Sequence, residues 1–365
     1  MALLWFGGFE GLDYGDYLNV GDHEFGGYGI EMVAGSTYGG GIGTTVGAAT
    51  GIKCMNITNG AARYAEFSIS GEPATFITGH ARCWSVNPTL TAGYPAYWFK
   101  NAAGDSHCKI HVSLDGNGDT IFTLTNSADS TLATSSPIPL SHSSSDIHYI
   151  EIKITIHASA GTCKININNT TVMDETSLDT YNTGNAGVGL LRMYSGTTGS
   201  TYIDDWYICD STGAAPHNDM LGPCKVEEIL PSADGTHTDW TALAGNRYAA
   251  IDDSTAHGHD SDATYVYSAT ATDQITTAFA DVSITDTIFA ISHMWHMRYE
   301  GYTTAEVTQQ FRIGGADYDG DDYTVYSTYH CHREIFTVNP ADSGAWEDAD
   351  IDGLEAGLAL KSITA

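Results

Sequence analysis

The stretch that decides the fold runs from His148 to Asp210, opening HYIEIKITIHASAGTCKININNTTVMD (148–174) and closing TYIDDWYICD (201–210). Ile150, Ile152, Ile154 and Ile156 alternate with Glu151, Lys153 and Thr155. A period of two over this length predicts an antiparallel strand with its apolar face on a core and its polar face in water. Ala160-Gly161-Thr162 supplies a turn, after which Cys163, Ile165 and Ile167 resume the alternation. Asn168-Asn169 turns again and Thr171–Met173 forms a third strand. The segment reads as a meander on one wall of a β-sandwich.

The residues before it carry the same signature. Strands are expected at Tyr28–Val33, Lys53–Ile57, Arg63–Ser70, Thr75–Val86, Ala96–Lys100, His107–Leu114 and Thr120–Thr125. Asn59-Gly60, Asn87-Pro88 and the run Asp115-Gly116-Asn117-Gly118-Asp119 separate them with turn chemistry. Many short strands at this spacing imply an all-β sandwich. Gly35–Gly51 holds too few large apolar residues to pack alone and is expected as a surface excursion or a subunit edge.

Ser211–Pro223 (STGAAPHNDMLGP) clusters Gly, Pro, Asn and Asp without periodicity, so the expected domains are 1–212 and 225–365, with 213–224 as linker. Residues 1–212 carry eight bases against twenty acids, the shorter remainder six against twenty-five. The second domain should open on an alternating strand, Lys225–Pro231. Further strands are expected at Thr264–Tyr267, Gln274–Ala278, Thr287–Arg298, Thr308–Ile313, Asp322–Tyr329 and Glu334–Thr337. Near the end Trp346, Ile351, Leu354 and Leu358 recur at helical intervals, with Asp342 or Ser343 as the cap.

Composition removes whole classes of partner. The 14 Lys+Arg against 45 Asp+Glu leave a net charge of −31. Such a surface opposes phosphate backbones and anionic lipid, so neither nucleic acid nor membrane is expected as a partner. There is no apolar run of transmembrane length and no secretory leader pattern. Seven cysteines, unevenly spaced and without a CxxC, speak against a zinc ribbon. Buried thiols are the default; Cys209 and Cys224, bracketing the junction, are the pair most open to a disulfide.

The order of elements over residues 1–212 resembles a laminin-G-like, concanavalin A-like jelly roll. FGGFEG (Phe6–Gly11) matches its opening strand, Thr78–Trp84 its central strand, His148–Ile156 its long strand, and Tyr202–Ile208 the closing strand with its paired aspartates. His148-Tyr149 stands where that fold usually has Trp-His. Beyond it, YIDDWYICDSTG and NDMLGPCKVEEILPSADGTHTDWT resemble a junction found in structural proteins of tailed bacteriophages. AWEDADIDGLEAGLAL (345–360) resembles their C-terminal ending. The resemblance implies a virion component assembled in the host cytoplasm: a decoration, collar or fibre-type protein. Its partners would be itself, as a homotrimer, and other virion proteins. The alternative is an adhesin or carbohydrate-binding module that engages host-surface glycans through the jelly-roll face or its rim loops.

Chemistry-bearing residues are sparse for a chain this long. No Gly-x-Ser-x-Gly elbow is present, and 45 acids make any carboxylate pair uninformative, so no enzyme is expected. Asp317, Asp319 and Asp321 flank Gly320 in DYDGDD, where alternate carboxylates around a turn could hold Ca2+; the plain hairpin turn competes with that reading. The resemblance adds Asp204 and Asp205 as candidate Ca2+ ligands at the sandwich rim. His330 and His332 share a strand face with Cys331 on the other, while His293 and His296 are expected to point to opposite faces. Tyr94, Tyr97, Trp98 and Phe99 could be core or a sugar-stacking surface. Exposure of Trp98 would favour a glycan site or a subunit contact, and Tyr97 and Trp98 are the residues chosen for that role.

Overall fold

The computed structural model describes residues 3–7, 24–25, 30–34, 40–44, 53–57, 64–84, 95–143, 146–194, 201–252 and 263–364. The chain divides into two compact units. Unit 1 is Met1–His23 with Gly29–Glu227, and unit 2 is Glu24–Tyr28 with Glu228–Ala365. Apart from one short helix and one 3-10 turn, the regular structure among the described residues is β.

The strands in the first half of the chain are β1 (Leu3–Gly7), β2 (Glu24–Phe25), β3 (Ile30–Ala34), β4 (Gly40–Thr44), β5 (Lys53–Ile57), β6 (Tyr64–Ile69), β7 (Thr75–Trp84) and β8 (Tyr97–Lys100). They continue as β9 (Ser106–Leu114), β10 (Thr120–Asn126), β11 (Thr131–Thr134), β12 (His148–Thr155), β13 (Gly161–Ile167), β14 (Thr170–Leu178), β15 (Leu190–Tyr194) and β16 (Thr201–Asp210). Unit 1 is built from two sheets. The first runs β14-β13-β12-β7-β16-β5-β4, with β1 also on β16; the second runs β11-β10-β9-β8-β15-β6-β3.

The period-two reading explains which side chains fill the space between these sheets. Ile150, Ile152 and Ile154 of β12, Cys163 and Ile165 of β13, and Trp206 and Ile208 of β16 are buried from the first sheet. Phe67, Phe99, Ile110, Phe122, Leu124 and Leu191 are buried from the second. Trp206 anchors the middle, edge-on to Phe67 (4.4 Å) and to Trp5 (5.1 Å), while its Nε1 donates to Thr78 Oγ1 at 2.6 Å. Turn chemistry performs as its residues imply at Asp115–Asp119, where Asp115 Oδ1 accepts the backbone N–H groups of Asn117 and Asp119 and Gly118 takes φ +90°.

The outer face of the first sheet departs from the sequence reading. Glu151 was expected in water; it is 1% exposed. Residues 213–227, expected as a linker over 213–224, lie against this face. Gly222 N donates to Glu151 Oε1 (2.8 Å), Leu221 N to Tyr207 Oη (3.0 Å), and Val226 N to Asp205 Oδ1 (2.9 Å). Tyr207 Oη donates to Glu151 Oε1 at 2.6 Å, and Lys153 Nζ reaches Asp219 at 2.9 Å. Gly79 makes this possible: a Cβ there would sit 2.2 Å from the Tyr207 ring. The strap supplies the partners that a buried carboxylate needs. Limited proteolysis with a broad-specificity protease should therefore spare residues 213–223 and cut near the exposed Glu227 and Glu228, where the units change over. Cleavage within 213–223 in the folded protein would contradict the docked strap.

Unit 2 contains β17 (Pro231–Thr238), β18 (Thr241–Ala242), β19 (Val266–Tyr267), β20 (Gln274–Phe279), β21 (Ile291–Met297), β22 (Thr304–Ile313), β23 (Ala316–Val325), β24 (His330–Phe336), α1 (Asp348–Asp352) and β25 (Glu355–Thr364). A sheet β17-β20-β25-β22-β23 stands beside two-stranded ribbons β21-β24 and β18-β19. Its core gathers Trp240, Ile275, Val307, Leu358 and Leu360 in one cluster and Phe311, Trp346, Ile351 and Leu354 in another. The expected strand Lys225–Pro231 does not form, and the first strand instead begins at Pro231. The C-terminal helix is also shorter than its periodicity implied. Glu347, not Asp342 or Ser343, caps it through a reciprocal box with Asp350, and it stops at Asp352. Leu358 belongs to a strand because β25 is central, paired to both β20 and β22. Tertiary pairing overrides a spacing that suits either element.

Candidate binding face of the first sandwich

The outward side of the second sheet of unit 1 brings together residues that are distant in sequence. In β8, Tyr97 and Phe99 point inward and are fully buried, while Trp98 faces out and is half-buried. Strand register sets its neighbours. Lys109 of β9 stands directly opposite on one side and Arg192 of β15 on the other. Residues opposite each other on one face of a sheet are in side-chain contact. The Lys109 and Lys100 ammonium groups both lie 4.9 Å from the Trp98 ring centre, and the Arg192 guanidinium lies 5.2 Å away. Tyr194 stacks on Trp98 at 6.3 Å, Tyr64 tilts against Tyr194 at 5.1 Å, and Arg192 sits 3.9 Å over the Tyr64 ring. Trp98 Nε1 donates to Ser106 Oγ at 2.7 Å.

Carboxylates thread this lattice. Glu66 of β6 accepts Arg192 Nε at 2.6 Å and lies 3.6 Å from Lys100 Nζ; Asp129 accepts Lys109 Nζ at 2.7 Å. The Glu66, Lys100 and Lys109 side chains are about nine-tenths buried, whereas that of Asp129 is 57% exposed. Burial, reinforced by the neighbouring Arg192, lowers the Lys100 ammonium below the ordinary lysine range against the pull of Glu66. Three of the 14 Lys and Arg thus converge on one indole in a chain of net charge −31. Partly desolvated cation–π contacts stabilise by about 0.5–2 kcal/mol each, so the lattice is rigid as well as charged.

Behind it, a second polar group lies between the sheets. His80 Nε2 and Tyr97 Oη are 2.9 Å apart, and Arg82 covers the Tyr97 ring at 4.9 Å while donating to the Tyr194 carbonyl. Burial holds His80 well below the ordinary imidazole range and, opposed by Arg82, raises the Tyr97 phenol. Tyr97 is thus part of the scaffold under the face; of the expected pair, Trp98 alone reaches the surface. Tyr94 lies outside the described residues.

The other candidates fall elsewhere. Asp204 and Asp205 are 0% and 2% exposed, in a bulge of β16 where Asp205 takes φ +46°. The backbone N–H of Asp205 is bonded to the Asp204 carboxylate, and the Asp205 carboxylate receives Val226; they are interior groups, not rim ligands. Cys209 and Cys224 are free thiols rather than a disulfide, as are Cys108 and Cys163. Burial pushes Cys224 up to about 12.

In unit 2, Asp317–Asp322 is strand, not turn. The hairpin turns at Gly314-Gly315, with φ +60° and +85°, and β23 then pairs with β22. Asp317 binds Arg312 (2.6 Å) and His237 (3.0 Å), Asp319 accepts Gln310 (3.0 Å), and Asp322 is bonded to Thr308 and Lys361. Gly320 and Asp321 bulge toward β24, where both oxygens of Glu334 accept Asp321 N at 3.0 Å. A Cβ on Gly320 would come within 2.2 Å of Glu334 Oε2. Glycine here admits a buried carboxylate, not a calcium loop. His293 is packed on Trp295 and Phe311, and His332 stacks on Tyr326. Among the described residues no three His, Cys, Asp or Glu side chains converge on a point that could hold a metal ion.

The sheet orders make unit 1 a jelly-roll-like β-sandwich of two antiparallel sheets within an all-β chain. No family model matches the sequence, and no curated protein matches it. Solved structures similar to it include the alginate lyase Aly36B in complex with alginate tetrasaccharide, at 11% identity and TM-score 0.32, over 50% of this chain and 97% of that one. The receptor-binding domain of botulinum neurotoxin type G is similar at 12% identity and TM-score 0.34, over 86% and 94%. The catalytic domain of a glycoside hydrolase family 131 protein from Coprinopsis cinerea is similar at 9% identity and TM-score 0.36, over 59% and 96%. The fold assignment rests on strand order and register.

Proposed function

We propose that this chain is a saccharide-binding protein of the adhesin or receptor-binding kind, and that unit 1 engages its ligand on the outward face around Trp98. The observation that supports this reading is the gathering of Trp98, Tyr64, Lys100, Lys109 and Arg192 on one rigid sheet face, in a chain otherwise dominated by acids. Sugar binding uses such a pairing of aromatic surface with fixed polar groups. The test is a glycan array probed with the full chain and with Trp98→Ala. The wild type should retain a defined subset of glycans, and Trp98→Ala should weaken that binding about tenfold or more while leaving the urea midpoint of unit 2 unchanged. An array without retained glycans would overturn the reading.

A virion role is the second reading. It is supported by the resemblance at Tyr202–Gly213 and Asn218–Thr241 to tailed-phage structural proteins. That same passage forms the closing strand of unit 1, the strap folded onto it and the first strand of unit 2. A surface-displayed phage protein can both assemble on the particle and adhere, so the two roles are compatible. On this reading the protein forms a homotrimer, which sedimentation equilibrium at micromolar concentration would reveal and a monomer would oppose.

A further inference from the structure

Among the described residues the ion pairs of this face are unequal: three cations, Lys100, Lys109 and Arg192, share two carboxylates, Glu66 and Asp129, within ion-pair distance. Arg192 holds Glu66 through Nε and Nη2, both at 2.6 Å, and its Nη1 donates to Tyr194 Oη at 3.2 Å. Lys109 is committed to Asp129 at 2.7 Å. Lys100 is left with the same Glu66 Oε2 that Arg192 holds, at 3.6 Å, a contact longer than a hydrogen bond. The carboxylate of Asp105, the next acid to act on it, accepts Asn101 Nδ2 at 3.1 Å. A nearly buried ammonium with three donors and a shared, distant counter-ion is incomplete as it stands, because a desolvated charge needs close partners.

We propose that the ligand of this face is a carboxylate-bearing saccharide, a uronate or a sialate, whose carboxylate takes Lys100 Nζ at the edge of Trp98. This rests on the saccharide-binding reading above and names its ligand class. A sugar carboxylate would give Lys100 the charge-assisted hydrogen bond it lacks, and the two flanking cations would add to the attraction. Neutral sugars would meet the same aromatic edge without that bond. The surrounding −31 chain repels polyanions at long range, so recognition must come from the local contact rather than from a broad basic surface.

The test compares polygalacturonate with its methyl ester, and a sialylated oligosaccharide with its asialo form, against the full chain by titration calorimetry. The acid of one pair should bind about tenfold or more tightly than its neutral counterpart, the scale of one charge-assisted bond. Which pair responds separates uronate from sialate. Lys100→Met should equalise acid and neutral forms, Lys100→Arg should keep the preference, and Lys109→Met should keep most of it. Equal affinity of acid and neutral forms in the wild type would overturn the inference while leaving saccharide binding intact. So would a preference that survives Lys100→Met, or a sulfated dextran bound as tightly as the favoured acid. Failure of every saccharide, acid or neutral, to bind would instead remove the underlying reading.

Discussion

Trp206→Ala is expected to destabilise unit 1 by about 3–5 kcal/mol, the range for removing a large aromatic from a packed core. Trp206 is 1% exposed and spans the gap between the sheets, touching Phe67 from the opposite sheet and Trp5 from the strand beside it. Truncation removes three contributions together: apolar burial, two edge-on aromatic contacts and the 2.6 Å hydrogen bond to Thr78. The bulge at Asp204–Tyr207 fixes the direction of this strand, so a smaller side chain cannot be compensated by a register slip. Urea unfolding followed by hydrogen exchange of peptides from 148–167 should show the loss. A change below about 1 kcal/mol would mean that the two sheets are not held together at this point.

Glu334→Gln is expected to stabilise unit 2 at pH 8 by up to about 3 kcal/mol and to change little at pH 4. Glu334 is 6% exposed, and burial, with the Asp321 carboxylate adding to it, raises its carboxyl to about 7 despite the bonds from the Asp321 backbone N–H. The folded state therefore holds this proton more tightly than the unfolded chain, whose carboxyl titrates near 4.5. Its stabilising share is fully present below about pH 4.5 and is lost as pH rises to about 7. His293 acts in the opposite sense. Burial holds its imidazole down to about 3 against an ordinary 6.5, with the nearby Gln309 amide acting weakly the other way, so its share is present above about 6.5 and is lost as pH falls toward 3. The two effects oppose each other between about 4.5 and 6.5, where unit 2 should show a shallow pH dependence. Glu334→Gln should unmask the histidine limb as a steady rise in stability with pH across that window. A variant that parallels the wild type from pH 4 to 8 would refute the assignment.

Most of unit 1 was legible because its strands are half-apolar and alternate. Lys53–Ile57 and Thr75–Trp84 fall where the pattern put them, and Asp115–Asp119 turns as its residues require. Glu151 was misplaced for a reason alternation cannot express: a segment more than sixty residues later covers the face that a strand pattern assigns to water. Asp317–Asp322 misled because Asp and Gly favour turns, yet the nearby Gly314-Gly315 pair was the stronger signal and is where the chain reverses. The cationic face was the least legible. Trp98 was visible, but Lys109 and Arg192 become its neighbours only through the registers of β8 with β9 and β15. No local pattern contains that pairing, though the scarcity of bases offered a clue: three of 14 fall on the outward positions of adjacent strands.

Covalent footprinting of the full chain, with and without the tightest glycan from the array, tests the central claim most directly. Saturating ligand should protect Trp98 and Tyr64 on the outward face, and leave Tyr267 and Tyr326, exposed in unit 2, labelled as before. Protection confined to unit 2, or unchanged labelling of Trp98 in the saturated complex, would contradict a binding face on the first sandwich.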